Sequence, residues 1–98
     1  MSVTVGILVM LEAKPDKAEA LGAFLEQGRE LAVAEPATVT WYAFKVDATT
    51  YGIFDTFAGE AGREAHLAGE IAKALMAAAP DLLAKDPDIR MVDIVGVK

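Results

Sequence analysis

Residues 38–57, TVTWYAFKVDATTYGIFDTF, decide the fold. Aromatic and β-branched residues crowd two runs, Thr38 to Asp47 and Thr50 to Phe57, and only two residues, Ala48 and Thr49, lie between them. Side chains of this kind suit a pleated, half-buried surface, and so short a connection joins antiparallel neighbours. The stretch therefore reads as a β-hairpin. With Ala48-Thr49 as its loop, Tyr42 faces Asp55 and Tyr51 faces Val46.

Working outward, the hairpin is flanked on both sides by a helix and then a strand. Upstream, larger apolar residues fall at Leu21, Phe24, Leu25, Gly28 and Leu31, the intervals of one helix face between Asp16 and Ala34. Lys14-Pro15-Asp16 starts that helix and Pro36 ends it. Before it, Val3 to Glu12 is a continuous apolar run that reads as a strand. Downstream, Glu60 to Ala79 is helical, with Ala61, Ala65, Ala68, Ala72, Leu75 and Ala79 as its core stripe and a break expected near Gly69. Pro80 and Pro87 bracket an irregular piece, and Ile89 to Val97 closes the chain as a strand. The order β-α-β-β-α-β over a single domain, 1–98, folds as an α+β, ferredoxin-like unit. Its four-stranded antiparallel sheet carries two helices on one face. Strand one and the last strand are apolar on both faces, so the face without helices needs a cover, and a homodimer packed sheet to sheet supplies it.

Composition narrows the chemistry. A net charge of −6 and the lack of any basic run disfavour nucleic acid and anionic membranes as partners. An apolar fraction of 54% is high for 98 residues and again points to an oligomer. There is no cysteine, one histidine, and no carboxylate spacing that suggests a metal cage, so neither metal nor cofactor is expected. The apolar run near the N-terminus lacks a basic leader and falls short of the ~20 residues that span a bilayer, which makes the cytoplasm the expected compartment.

Two residues stand out as chemical groups. Asp55 shares a strand face with Ile53 and Phe57, where an unpaired carboxylate would cost several kcal/mol. Tyr42, Arg63 and His66 are its natural partners. It either fastens the following helix to the strand or orients a catalytic imidazole. His66, the one side chain that titrates near neutrality, has two placements. On a regular helix it lies at the surface, four residues from Glu70; if the helix kinks near Gly69, the ring turns toward the sheet. Trp41 is core filler or a wall for a flat ligand.

The strand TYGIFDTF, the helix opening EAGREAHL and the element order resemble the antibiotic biosynthesis monooxygenase domain family over nearly the whole chain. That resemblance implies a dimeric α/β barrel and the cofactor-independent oxidation of quinols or polyketide phenols by O2. It implies His66 as the base or the phenolate's partner, Asp55 orienting it, and Trp41, Tyr42 and Tyr51, with Arg63 beside them, around the substrate. Family members that degrade haem use an Asn, Trp and His set, and this chain contains no asparagine. The competing expectations are a non-catalytic barrel binding a small apolar ligand or a partner protein, and a proton-shuttling isomerase or decarboxylase that uses His66 without O2. The enzyme reading needs His66 and Asp55 turned into one cavity. The binding reading leaves His66 in solvent.

Overall fold

The computed structural model describes residues 2–98, which leaves Met1 of the single-domain reading outside it. The elements run β1 (Val5–Glu12), α1 (Ala18–Val33), β2 (Thr38–Lys45), β3 (Thr50–Phe57), α2 (Glu60–Leu67), α3 (Glu70–Leu82) and β4 (Asp88–Asp93). All strand pairs are antiparallel, in the order β2-β3-β1-β4. This is the ferredoxin-like α+β arrangement that the sequence predicts, with its second helix divided in two.

The strands alternate as the pleat demands. Ile7, Val9 and Leu11 of β1 and Tyr51, Ile53, Asp55 and Phe57 of β3 face the helices and are buried. On α1 the buried positions are Leu21, Leu25, Gly28 and Ala32, a stripe at intervals of three and four; Leu31, expected inside, is exposed. The opposite sheet face carries Leu8, Met10, Tyr42, Phe44, Phe54 and Val92, with no helix above it. Tyr42 and Phe44 are exposed there.

Four expectations change. First, the hairpin turns through Val46–Thr49 rather than Ala48-Thr49 alone. The Asp47 carboxylate accepts the backbone N–H groups of Thr49 (3.1 Å) and Thr50 (2.9 Å), an Asx turn that ends β2 at Lys45. The register moves by one residue, so that Trp41, not Tyr42, lies opposite Asp55, and Lys45 lies opposite Tyr51. Second, α3 continues through Pro80 to Leu82. So close to the end of a helix, proline removes a single intrahelical bond. The last turn is held by Leu83 N–H to Ala79 O (2.9 Å) and by Lys14 Nζ to Pro80 O (2.8 Å). Third, β4 stops at Asp93 instead of Val97, and Val95 is fully exposed.

The fourth change shapes the site. The helix breaks at Gly69, as its sequence suggests, but the alanine stripe does not stay inside across the break. On α2, Ala61, Ala65 and Ala68 are exposed, while Arg63 and His66, one turn apart, are buried. Beyond the break α3 buries Ile71, Leu75 and Leu82. The interruption lets each piece present a different face to the sheet.

Candidate functional site

Three elements meet at one ring. β3 delivers Asp55 from the middle of the sheet, where it is 1% exposed. The last turn of α2 delivers His66, 9% exposed, at a helix end whose carbonyls favour a cation. The connection between α1 and β2 delivers Glu35. His66 Nδ1 lies 2.6 Å from Glu35 Oε1, and Nε2 lies 3.0 Å from Asp55 Oδ2. The first contact is a hydrogen bond. The second is an ion pair at hydrogen-bond distance, and the other Asp55 oxygen, Oδ1, is buried without a donor. The Phe57 ring, tilted by 45° at 5.4 Å, packs against the imidazole.

Burial pushes the His66 pKa down, but the hydrogen-bonding and charge of Asp55 and Glu35 outweigh it. The net effect is a value above the ordinary histidine range. The ring is thus biased toward the imidazolium form.

Asp55 and His66 form the polar corner of a cavity of about 130 Å³ between the sheet and the helices. Ile7, Val9, Leu25, Ile53 and Ile71 line most of it, with Trp41 on the β2 side. Trp41 Nε1 is buried and has no hydrogen-bond partner. Asp55 and Trp41 are direct cross-strand neighbours, and both line the apolar hollow. On the other side of the imidazole a more open hollow of about 360 Å³ is bounded by Glu35, Thr38, Gly69 and Glu70.

Of the residues that the sequence nominates, the structure brings together His66, Asp55 and Trp41. Tyr42 points from the opposite sheet face. Tyr51 is buried beyond the far end of the cavity, against Gly22 of α1, with Lys45 Nζ 5.8 Å from its ring centre. Arg63 is a structural tie. Its guanidinium donates to Gly6 O (3.1 Å), Val92 O (3.2 Å) and the Glu60 carboxylate, fastening α2 to β1 and β4. None of these three lines the cavity, and neither Tyr42 nor Arg63 partners Asp55. Glu70, the surface partner considered for His66, pairs with Lys73 instead. Glu35 escapes sequence reasoning, since it precedes Pro36 in a connection 31 residues from His66.

No helix among the described residues is long and apolar enough to cross a membrane. No family model and no curated protein matches the chain. Solved structures do match. A protein of unknown function from Nitrosomonas europaea, NE2512, is 47% identical over 98% of this chain and 93% of its own, with a TM-score of 0.96. Two proteins described as candidate antibiotic biosynthesis monooxygenases share the fold at low identity. One, from Nitrosomonas europaea, is 15% identical, with TM-score 0.84 over 97% of this chain and 93% of its own. The other, from Caulobacter crescentus, is 20% identical, with TM-score 0.81 over 96% and 92%. The chain therefore belongs to the family of the Nitrosomonas europaea protein NE2512, and its fold is that of the antibiotic biosynthesis monooxygenases.

Proposed function

We propose that this protein is a cofactor-independent monooxygenase that oxidises a small phenol or quinol with O2 in the cavity between sheet and helices. The observation that carries the reading is the buried Asp55 carboxylate, ion-paired with His66 through Oδ2 but with Oδ1 unpartnered, in an otherwise apolar hollow that Trp41 also lines. A phenol supplies what Asp55 Oδ1 lacks, a hydroxyl donor, and its ring suits the apolar walls. The size argues for one ring. An engineered apolar cavity of about 150 Å³ takes up benzene, so about 130 Å³ fits a monocyclic substrate better than a fused polyketide.

Asp55 takes the phenolic proton, and His66 balances the new anion with its positive charge. The phenolate passes one electron to O2, giving a phenoxyl radical and superoxide. These join through a ring carbon–oxygen bond, and the product takes a proton from Asp55 to become a hydroperoxide. The O–O bond then breaks as the ring C–H proton leaves, yielding a quinone carbonyl and one water. The protein's contribution is to bind, to hold the proton and to exclude bulk water. In this assignment Asp55 is the base and His66 the charged partner, the reverse of the sequence-based expectation, because both imidazole nitrogens are already facing carboxylates. The non-catalytic binding reading expects His66 in solvent, and its burial favours the enzyme.

The chain works, in this reading, as a homodimer through the sheet face that no helix covers, where Leu8, Met10, Tyr42, Phe44 and Phe54 present an apolar surface. Sedimentation should give twice the chain mass, and Phe54→Glu should halve it. The activity is tested by O2 uptake with a panel of hydroquinones and dihydroxynaphthalenes, above the autoxidation blank. Single-ring substrates are expected to be consumed, with uptake lost in Asp55→Asn and His66→Phe. No uptake from any member of the panel would turn the assignment to a ligand-binding barrel.

A further inference from the structure

His66 is shared by two hollows. One edge of the ring faces the inner cavity and Asp55, and the other faces the outer hollow and Glu35. A neutral imidazole has a single N–H, so it can serve only one of two flanking carboxylates. The other would meet a nitrogen lone pair at 2.6 or 3.0 Å, acceptor against acceptor. The doubly protonated ring serves both.

We propose that Glu35 is a positioning residue, which holds His66 doubly protonated from the outer side so that the ring meets the inner cavity as a fixed positive charge beside Asp55. The inference rests on the reading that Asp55 accepts the substrate's proton in that cavity. Glu35 does not line the cavity and acts only through the imidazole. Its own placement is built. Thr38 Oγ1 donates to Glu35 Oε1 at 2.7 Å, the oxygen that also faces His66 Nδ1. Glu35 Oε2 is buried against Gly69, 2.7 Å from where a side-chain carbon at that position would stand. The helix break thus has two uses: it turns His66 inward and leaves room for the carboxylate behind it.

The charged groups around the ring make the assignment specific. Asp55 faces it from β3 and Glu35 from the α1–β2 connection. Glu70, at the start of α3, borders the same outer hollow but is paired with Lys73. Arg63, on the ring's own helix, is engaged with Glu60, Gly6 and Val92. The cavity side of β1, β2 and α1 contributes only uncharged residues. The raised His66 pKa agrees with this arrangement. A fixed cation at the wall of an apolar cavity stabilises phenolate and superoxide, the two anions that the oxidation generates there.

The chain's only histidine makes the test direct, because every imidazole signal in its nitrogen-15 NMR spectrum belongs to His66. In the wild type both ring nitrogens should carry protons to a pH above the ordinary histidine midpoint. In Glu35→Gln the midpoint should move to lower pH, and Gly69→Ala, whose new methyl displaces Glu35 Oε2 without removing its charge, should move it the same way. In O2 uptake, the loss of activity on the alkaline side should shift down by the same interval as the NMR midpoint in each variant. A wild-type ring with one N–H at neutral pH, or an unchanged midpoint in whichever of the two variants folds, would overturn the role of Glu35. The NMR result stands without any turnover. A protein that shows the shift but consumes no O2 keeps Glu35 as the residue that charges His66 and loses only the monooxygenase reading.

Discussion

The two halves of this chain share one order, strand, helix, strand, yet only the second half sends polar side chains inward from its helix; the first adds Glu35 and Trp41 from beyond α1. In the first, α1 runs unbroken for 16 residues and shows the sheet one stripe, Leu21, Leu25, Gly28 and Ala32, all of it uncharged. In the second, the helix is cut at Gly69. The α3 piece supplies the core stripe, and the α2 piece is free to turn Arg63 and His66 inward. A continuous helix has one buried face and spends it on packing. A divided helix has two, and one of them can carry chemistry.

That contrast can be broken from either side. The largest effect is expected in the second half. Asp55→Asn removes the proton acceptor, and O2 uptake with a reactive phenol should fall by about 100- to 10,000-fold. The NE2512-like fold should remain, as judged by circular dichroism. Next comes the first half: Leu21, 0% exposed, supports packing alone. Leu21→Ala should lower stability by about 2–5 kcal/mol in urea titrations, while the nitrogen-15 signals of His66 keep their wild-type positions in the protein that stays folded. Displaced His66 signals in that variant would mean that the halves are not independent. Gly69→Ala is expected to cost less, about 1–3 kcal/mol of crowding against Glu35, and to change the His66 titration more than it changes the melting curve.

The smallest effect is the pH dependence of stability. The folded pKa of His66 lies above its ordinary value of 6.5, so the folded protein binds the proton more tightly than the unfolded chain. Its contribution is complete below that ordinary value and is lost as pH rises through the raised folded one. Urea midpoints should decline across that window, and His66→Phe should flatten the decline.

The fold was largely legible in the chain because hydrophobic period and chain punctuation agree. TVTWYAFK and TYGIFDTF could only be strands, and Pro36 and Gly69 fall where helices stop. What misled was local chemistry working against a general rule. Asp47 lengthened the hairpin loop by capping two backbone N–H groups, and that one-residue slip exchanged Tyr42 for Trp41 opposite Asp55. An aspartate two and three residues ahead of a pair of threonines, Asp47-Ala48-Thr49-Thr50, was the available signal. Pro80 was overridden because contacts with Lys14 and Ala13 hold the last turn of α3. Asp55 could be nominated because a carboxylate between Ile53 and Phe57 has to be explained. Glu35 could not, since its link to His66 spans the sequence from one helix end to another and leaves no periodic trace.

Trp41 is the chain's only tryptophan, and its ring lines the cavity. The protein therefore carries its own optical probe. Filling the pocket should shift the intrinsic fluorescence, and a bound quinone, an efficient electron acceptor, should quench it. Emission at a single wavelength can then follow occupancy and turnover in the same cuvette, with no label attached.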